Sequence, residues 1–233
     1  MRKLAPDVGL VRDGYVYPNW NSHGTVTGRL SSSGPNFQNI PHALRDMFIP
    51  PEGCVFVGAD YDQLELRYCA GLAGAVHYLD AFEKRLIDPH NLTGDLMFGE
   101  KFWQVEGAPE TKMGKGTGQF KRMRNLSKAI CFASLYGASA PKIHELVTST
   151  EDNAVLNFPV QAGAFNVVAL SMIDLVENHL PFDFKNKIGL VNQLHDAVLF
   201  SVPEAQAEDV KQLVTEILTR RVDGLPVTFT AEA

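Results

Sequence analysis

Two aspartates, Asp60 and Asp196, each end or interrupt an apolar run: Val55 to Ala59 leads into Asp60, and His195-Asp196 separates Ile188 to Leu194 from Ala197 to Val202. An unpaired carboxylate in such a place is costly unless something positive meets it. A divalent cation is one such partner. Two hard carboxylates can hold Mg²⁺ ions that bridge to phosphate oxygens, and a pair of ions can lower the barrier for both the attacking and the leaving oxygen of a phosphoryl displacement. A turn aspartate and an N-cap aspartate account for the same two residues without any metal. Arg124, Lys128, Phe132 and Tyr136 recur every four residues. Each step of four overshoots a helical turn by roughly 40°, so on a helix they form one spiralling row about 18 Å long. Two cations followed by two aromatics match the layout of a nucleoside triphosphate, with Arg and Lys toward the phosphates and Phe toward sugar and base. A helix whose polar edge carries both charges and whose aromatics lie in the core has the same spacing.

These residues need elements to hold them. Val55 to Asp60 reads as a buried strand that delivers Asp60 at its end, and Leu64, Tyr68 and Leu72 at helical spacing predict a helix from Gln63 to Leu72. Asp88 as N-cap with Pro89 in the first turn predicts a helix with Leu92, Leu96 and Met97 on its inner face. Residues 106–118 hold four Gly and one Pro and read as a loop. From Arg122 to Leu135 there is no Gly or Pro, and Met123, Leu126, Ala129, Ile130 and Ala133 mark the apolar face of the clearest helix. Pro159 to Val176 predicts another. The runs on either side of His195-Asp196 predict a tight hairpin with that pair at its tip. Glu204 to Arg221 closes with an amphipathic helix on Val210, Leu213, Val214, Ile217 and Leu218. The first forty residues, rich in Gly, Pro, Ser and Asn, read as ordered loop or short strand.

Composition bounds the function. With 45% hydrophobic and 21% charged residues the chain is not disordered throughout. No stretch approaches the ~20 apolar residues that span a bilayer, and Met1 to Asp7 lacks the apolar run of a signal peptide. The expectation is a cytoplasmic protein with no membrane partner. Cys54, Cys69 and Cys131, widely spaced among apolar neighbours, fit neither a disulfide framework nor a zinc site. The net charge of −6 argues against a general nucleic-acid binder, whose affinity rests on Lys and Arg. Residues 111–130 nonetheless hold Lys112, Lys115, Lys121, Arg122, Arg124 and Lys128 with no acid, leaving 15 basic against 27 acidic residues elsewhere. That run is either a solvated face or a basic surface for a partner.

Six segments, in order, carry a resemblance. Thr27-Gly28-Arg29-Leu30-Ser31-Ser32 with Pro35-Asn36-Phe37-Gln38-Asn39-Ile40-Pro41, Asp60-Tyr61-Asp62-Gln63-Leu64-Glu65-Leu66-Arg67, Asp88-Pro89-His90, Arg124…Lys128…Phe132…Tyr136-Gly137, Asn157-Phe158-Pro159-Val160-Gln161 and Gln193-Leu194-His195-Asp196 resemble the polymerase domain of family A DNA polymerases, from about Gly24 to the C-terminus. The resemblance implies an α+β polymerase palm, with a small antiparallel sheet backed by helices, and a reduced helical fingers subdomain. It assigns 1–80 to the N-terminal part of the palm, 81–156 to partial fingers and 157–233 to the C-terminal part of the palm. It implies that Asp60 and Asp196, with the Tyr61 carbonyl, hold two Mg²⁺ ions. Arg124, Lys128 and His90 hold the incoming deoxynucleoside triphosphate, and Lys128 also protonates the departing pyrophosphate. Phe132 and Tyr136 stack near the nascent pair, and Glu65 blocks a ribose 2′-hydroxyl. Arg29, Asn36, Gln38, Gln161 and His195 contact primer-template DNA.

Three departures stand against the family pattern. Ala197 occupies a position where the family usually has Glu, the segment between Gly137 and Asn157 is shorter than in relatives, and nothing before Gly24 matches a thumb or exonuclease domain. These raise the expectation of a divided enzyme, of the kind encoded by a viral genome and working in a host cytoplasm, with thumb or exonuclease on a second polypeptide. Two other readings compete: a non-catalytic remnant that binds primer-template or a replication partner, and a single-subunit RNA polymerase, which Glu65 disfavours.

Overall fold

The computed structural model describes residues 11–25, 27–135, 158–183 and 185–233. In chain order its strands are β1 (Val11–Arg12), β2 (Tyr15–Val16), β3 (Asn19–Asn21), β4 (Ser31–Ser33), β5 (Cys54–Tyr61), β6 (Gly189–Leu194), β7 (Ala197–Pro203), β8 (Arg220–Arg221), β9 (Thr228–Phe229) and β10 (Ala231–Glu232). The α-helices are α1 (His42–Arg45), α2 (Leu64–Ala73), α3 (Val76–Lys84), α4 (Pro89–Phe98), α5 (Gly118–Leu135), α6 (Phe158–Asp174) and α7 (Ala207–Leu218). The described residues of Met1–Asp62, Gln161–Arg220 and Phe229–Ala233 form one compact unit, and those of Gln63–Val160 with Arg221–Thr228 form a second. The expected class, helices with small antiparallel sheets, is what the chain adopts.

The first unit is built on a four-stranded antiparallel sheet in the order β10-β5-β7-β6. Side chains alternate across a strand, and β5 alternates cleanly: Val57, Ala59 and Tyr61 are buried while Phe56, Gly58 and Asp60 are exposed. Val57 pairs with Phe200 and Ala59 with Val198, so one face collects apolar side chains, against which α7 packs with Val210, Val214 and Leu218. Each such side chain contributes about 1.5–3 kcal/mol on full burial. Asp60 lies on the other face, clear of this core.

The second unit packs α2, α3, α4 and α5 with a 3₁₀ turn at Gly99–Trp103. Phe102 and Phe120 are fully buried with ring centroids 4.5 Å apart. Gly94 is the residue that lets Phe102 in, since a Cβ there would stand 2.4 Å from its ring. Arg67, 5% exposed, lies 4.4 Å over the Phe82 ring and donates to the Thr228 carbonyl.

Three expectations are corrected. Leu96 and Met97 are exposed rather than on the inner face of α4, because the enclosed part of that helix is its first two turns, Pro89 to Gly94, where Asn91 donates to the carbonyls of Lys112 and Gly114. The buried side of α5 is Phe120, Arg124, Ser127, Ile130, Cys131 and Ala133, so it takes in two polar residues, while Met123, Leu126 and Ala129 are only half-buried. The last helix stops at Leu218, where Thr219 turns extended, and Arg220 and Arg221 form β8.

Candidate active site

The strand register places Asp60. On β5 it pairs with Ala197 of β7 on one side and with Glu232 of β10 on the other, so these three side chains form one row on the face opposite the α7-packed core. His195 and Asp196 form the two-residue turn between β6 and β7, and Tyr61 N–H donates to the Asp196 carbonyl at 3.3 Å, tying that turn to the end of β5. His195 takes a φ of 55°, a region few non-glycine residues visit. Asp60, His195, Asp196 and Gln38 line one cleft of about 580 Å³, together with His42 and Arg45. Arg29 Nη2 lies 3.5 Å from an Asp196 oxygen, so one expected DNA contact meets one expected metal ligand. A larger cleft of about 720 Å³, walled by Tyr15, Tyr17, Trp20 and Phe56, shares Ile40, Arg45 and Leu194 with the first. No local pattern announces it, because much of its wall comes from short hairpins without periodicity.

Desolvation of the Asp60 carboxyl raises its pKa above the usual carboxylate value; the Tyr61 backbone bond opposes this, and Asp62 adds to it. A carboxyl whose folded pKa is raised lends stability below its unfolded pKa and loses it as pH rises through the folded one. Asp60→Asn is therefore expected to raise the melting temperature of the metal-free protein at neutral pH, with the advantage disappearing below the carboxyl's titration; thermal melts across pH read this directly. The donor set suits a hard divalent cation: two carboxylates on one open cleft of about 580 Å³, with room for water and phosphate oxygens. Ala197 adds no ligand to it. Among the described residues no three His, Cys, Asp or Glu side chains stand close enough to form a ready-made metal cage.

Tyr61 points its ring into the core, where its hydroxyl lies 2.8 Å from Ser171 Oγ, and burial pushes its pKa up to about 12. Asn36 caps the turn at Phe37–Asn39, its Oδ1 accepting from Gln38 N–H and Ser32 Oγ–H. Gln38 Nε2 donates to the Leu30 carbonyl and to Gln193 Oε1, each at 3.0 Å.

In the second unit the cationic row behaves as its 40° advance per step requires. Arg124 is buried, Lys128 is exposed and Phe132 lies between. Arg124 Nη2 is 2.9 and 3.0 Å from the two Asp88 oxygens. Asp88 also caps α4, accepting from His90 and Asn91 N–H. Lys128 Nζ sits 5.9 Å over the Phe132 ring, and His90, 4% exposed, has its ring 5.8 Å from the same phenyl. His90, Lys128 and Phe132 thus meet, while Arg124 is turned inward. The sequence marks Asp88 only as an N-cap and Gln193 only as part of a resembling segment, and does not mark Glu232; the bonds to Arg124 and Gln38 and the β5–β10 register show what each of them meets. Glu65 is half-buried in the first turn of α2. Lys112, Lys115, Lys121 and Arg122 are exposed, with Lys112 over the Trp103 ring. Burial and the Glu65 charge raise the Cys69 thiol to about 11, so it is no nucleophile at neutral pH. Tyr136 lies outside the described residues, as does the Gln161 side chain. No helix among the described residues is long and apolar enough to cross a membrane.

Residues 3–155 match the family model for DNA polymerase family A. Thermostable DNA polymerase I of Thermus filiformis is 27% identical over 259 residues, covering 89% of this chain and 30% of that protein. DNA polymerase I of Aquifex aeolicus is 37% identical over 135 residues, covering 58% of this chain and 21% of that protein. The first alignment is longer than the chain, so that relative carries residues this chain lacks. The chain spans about 30% of the length of the Thermus relative. Among solved structures, the POL domain of Pol1 from M. smegmatis, in complex with DNA primer-template and dNTP, superposes with a TM-score of 0.73 at 22% identity, covering 96% of this chain and 48% of that one, and so shares its fold.

Proposed function

Because this chain belongs to DNA polymerase family A, we propose that it is the core of a template-directed DNA polymerase, adding deoxynucleoside monophosphates to a primer 3′-hydroxyl with two Mg²⁺ ions. One observation carries the reading most: Asp60 and Asp196, from segments 136 positions apart, come to one solvent-facing cleft through the pairing of β5 with β7. The palm assignment of 1–80 and 157–233 and the fingers assignment of 81–156 belong to the same reading.

When bound, the two ions supply positive charge to the reacting phosphate and to the oxygens that attack and leave. The chain's residues do the rest. Asp60 and Asp196, with the Tyr61 carbonyl, hold the ions. Lys128 and His90 bind triphosphate oxygens, and Lys128 gives its proton to the pyrophosphate as it leaves. Arg124 joins them at the phosphates if its bond to Asp88 is exchanged; otherwise it acts by fixing the start of α4, from which His90 projects. Phe132 and Tyr136 stack beside the new pair, and Glu65 excludes a 2′-hydroxyl. Arg29, Asn36, Gln38, Gln161 and His195 bind primer and template.

The test is extension of a labelled primer-template by this chain with each nucleotide in turn. Addition of the one deoxynucleotide that matches the template, in preference to the other three and to its ribonucleotide, is expected; indifference to the template removes the proposal. A second reading, a binding module without chemistry, is favoured by Ala197, which leaves the β7 position paired with Asp60 without a carboxylate. Residues paired across strands have Cβ atoms roughly 4.5–5.5 Å apart, so Ala197→Glu adds an oxygen ligand beside Asp60. Several-fold tighter Mn²⁺ binding by the variant, read by electron paramagnetic resonance, is expected if Asp60 is a metal ligand; an unchanged affinity favours the binding module.

A further inference from the structure

The larger cleft takes no part in the proposed chemistry, and its lining sets it apart. Six of the large apolar side chains left exposed among the described residues, Tyr15, Tyr17, Trp20, Met47, Ile49 and Phe56, lie on it together. Contiguous apolar surface of this kind is where a protein meets a ligand or partner. At about 720 Å³ the cleft falls within the roughly 300–1,000 Å³ of pockets that enclose small organic molecules. Charge narrows the class of ligand. The chain carries a net charge of −6, yet no acidic residue lines the cleft and two cations do, Lys187 and Arg45. Lys187 Nζ lies 5.8 Å from the centre of the Tyr15 ring and 5.6 Å from that of Tyr17, so two ring faces hold the ammonium group at the wall. Ser201 supplies an independent sign. It pairs with Phe56 and so stands on the cleft side of the sheet, and it is 1% exposed, yet its hydroxyl has no hydrogen-bond partner among the described residues. On its other side it pairs with Gly189, two residues after Lys187, which brings hydroxyl and ammonium to the same end of the cleft. A buried hydroxyl without a partner is costly, and an acceptor on a bound molecule satisfies it.

We propose that this cleft binds a small aromatic anion, one or two fused rings bearing a carboxylate or sulfonate. The rings pack among Tyr15, Tyr17, Trp20 and Phe56 in offset or edge-to-face contact. The anionic group meets Lys187 and accepts from the Ser201 hydroxyl. An aliphatic segment of another protein would cover the same apolar walls but leave the ammonium and the hydroxyl unmatched; an aromatic anion matches all three. The larger cleft shares Ile40, Arg45 and Leu194 with the cleft of Asp60 and Asp196, so the bound anion lies beside that site without using either carboxylate. Neither a metal nor a nucleic acid is needed for it, and the inference stands apart from the polymerase reading.

The experiment is isothermal titration of the chain with 2-naphthoate, an anion at neutral pH, and with 2-naphthylmethylammonium, which carries the opposite charge on the same rings. The expected result is one naphthoate per chain, bound about tenfold more tightly than the ammonium ion, the ratio for one charge-assisted hydrogen bond added to equal ring contacts. In Lys187→Met that ratio falls to about one, and Lys187→Arg, which keeps the charge, restores it. In Ser201→Ala it falls several-fold. A merely structural loss in any of these variants weakens both ligands alike and leaves the ratio at its wild-type value. A ratio near one in the wild type, or a preference for the anion that survives in Lys187→Met, overturns the inference. So does the absence of saturable naphthoate binding, whether the chain sediments as a dimer, with a second copy covering these residues, or as a monomer. The polymerase reading is decided separately, by primer extension.

Discussion

Asp196→Asn is expected to leave the fold intact and to reduce nucleotide incorporation about a thousandfold, the rate change for about 4 kcal/mol of lost transition-state stabilisation at a metal-held phosphate. The fold survives because what ties the turn to β5 is the Asp196 backbone carbonyl, which accepts from Tyr61 N–H and is unaffected by the side chain. The substitution also removes the ion pair with Arg29. DNA binding by the variant is therefore expected to equal or exceed that of the wild type, since a negative charge is gone and a guanidinium is released toward phosphate or base. Loss of rate with retained affinity, measured by single-turnover extension and by anisotropy, separates a chemical role from a structural one. Parallel loss of both overturns the assignment of Asp196.

Asp88→Ala is expected to be the most destabilising single change in the second unit, at about 3–5 kcal/mol. Two costs combine. The cap on the His90 and Asn91 N–H groups is lost, and the Arg124 guanidinium is left buried with no carboxylate. Removing the other partner is expected to cost less, because in Arg124→Leu the Asp88 carboxylate keeps its two backbone donors at the positive end of α4. The order Asp88→Ala worse than Arg124→Leu, with the double variant Asp88→Ser/Arg124→Leu recovering part of the loss, can be read from urea midpoints. The reverse order is incompatible with the pair as described. A functional consequence follows, because His90 stands two residues beyond the cap.

How much of this was legible in the sequence follows from which forces set each feature. Strand β5, helix α2, the Asp88-Pro89 helix start and the His195-Asp196 hairpin were readable, because local signals and burial agree there. The inner faces of α4 and α5 were misread where polar residues are buried in pairs. Arg124 looks like a surface cation in any periodicity argument, and only the carboxylate of Asp88, 36 positions away, makes it a core residue. The row Asp60, Ala197 and Glu232 was invisible for a similar reason. Register between strands far apart in sequence is fixed by pairing, and no local pattern encodes it. The Gln38–Gln193 amide pair likewise joins residues 155 positions apart.

The measurement that bears most directly on the central claim is single-turnover addition of one correct deoxynucleotide to a primer-template by this chain, followed as Mg²⁺ is raised from zero, for the wild type beside Asp196→Asn. For a two-metal polymerase core the expected result is no addition without Mg²⁺, a saturable rise with it in the wild type, and at most a thousandth of that rate in the variant. Addition that is independent of Mg²⁺, equal in the two proteins, or absent from the wild type at every concentration contradicts it.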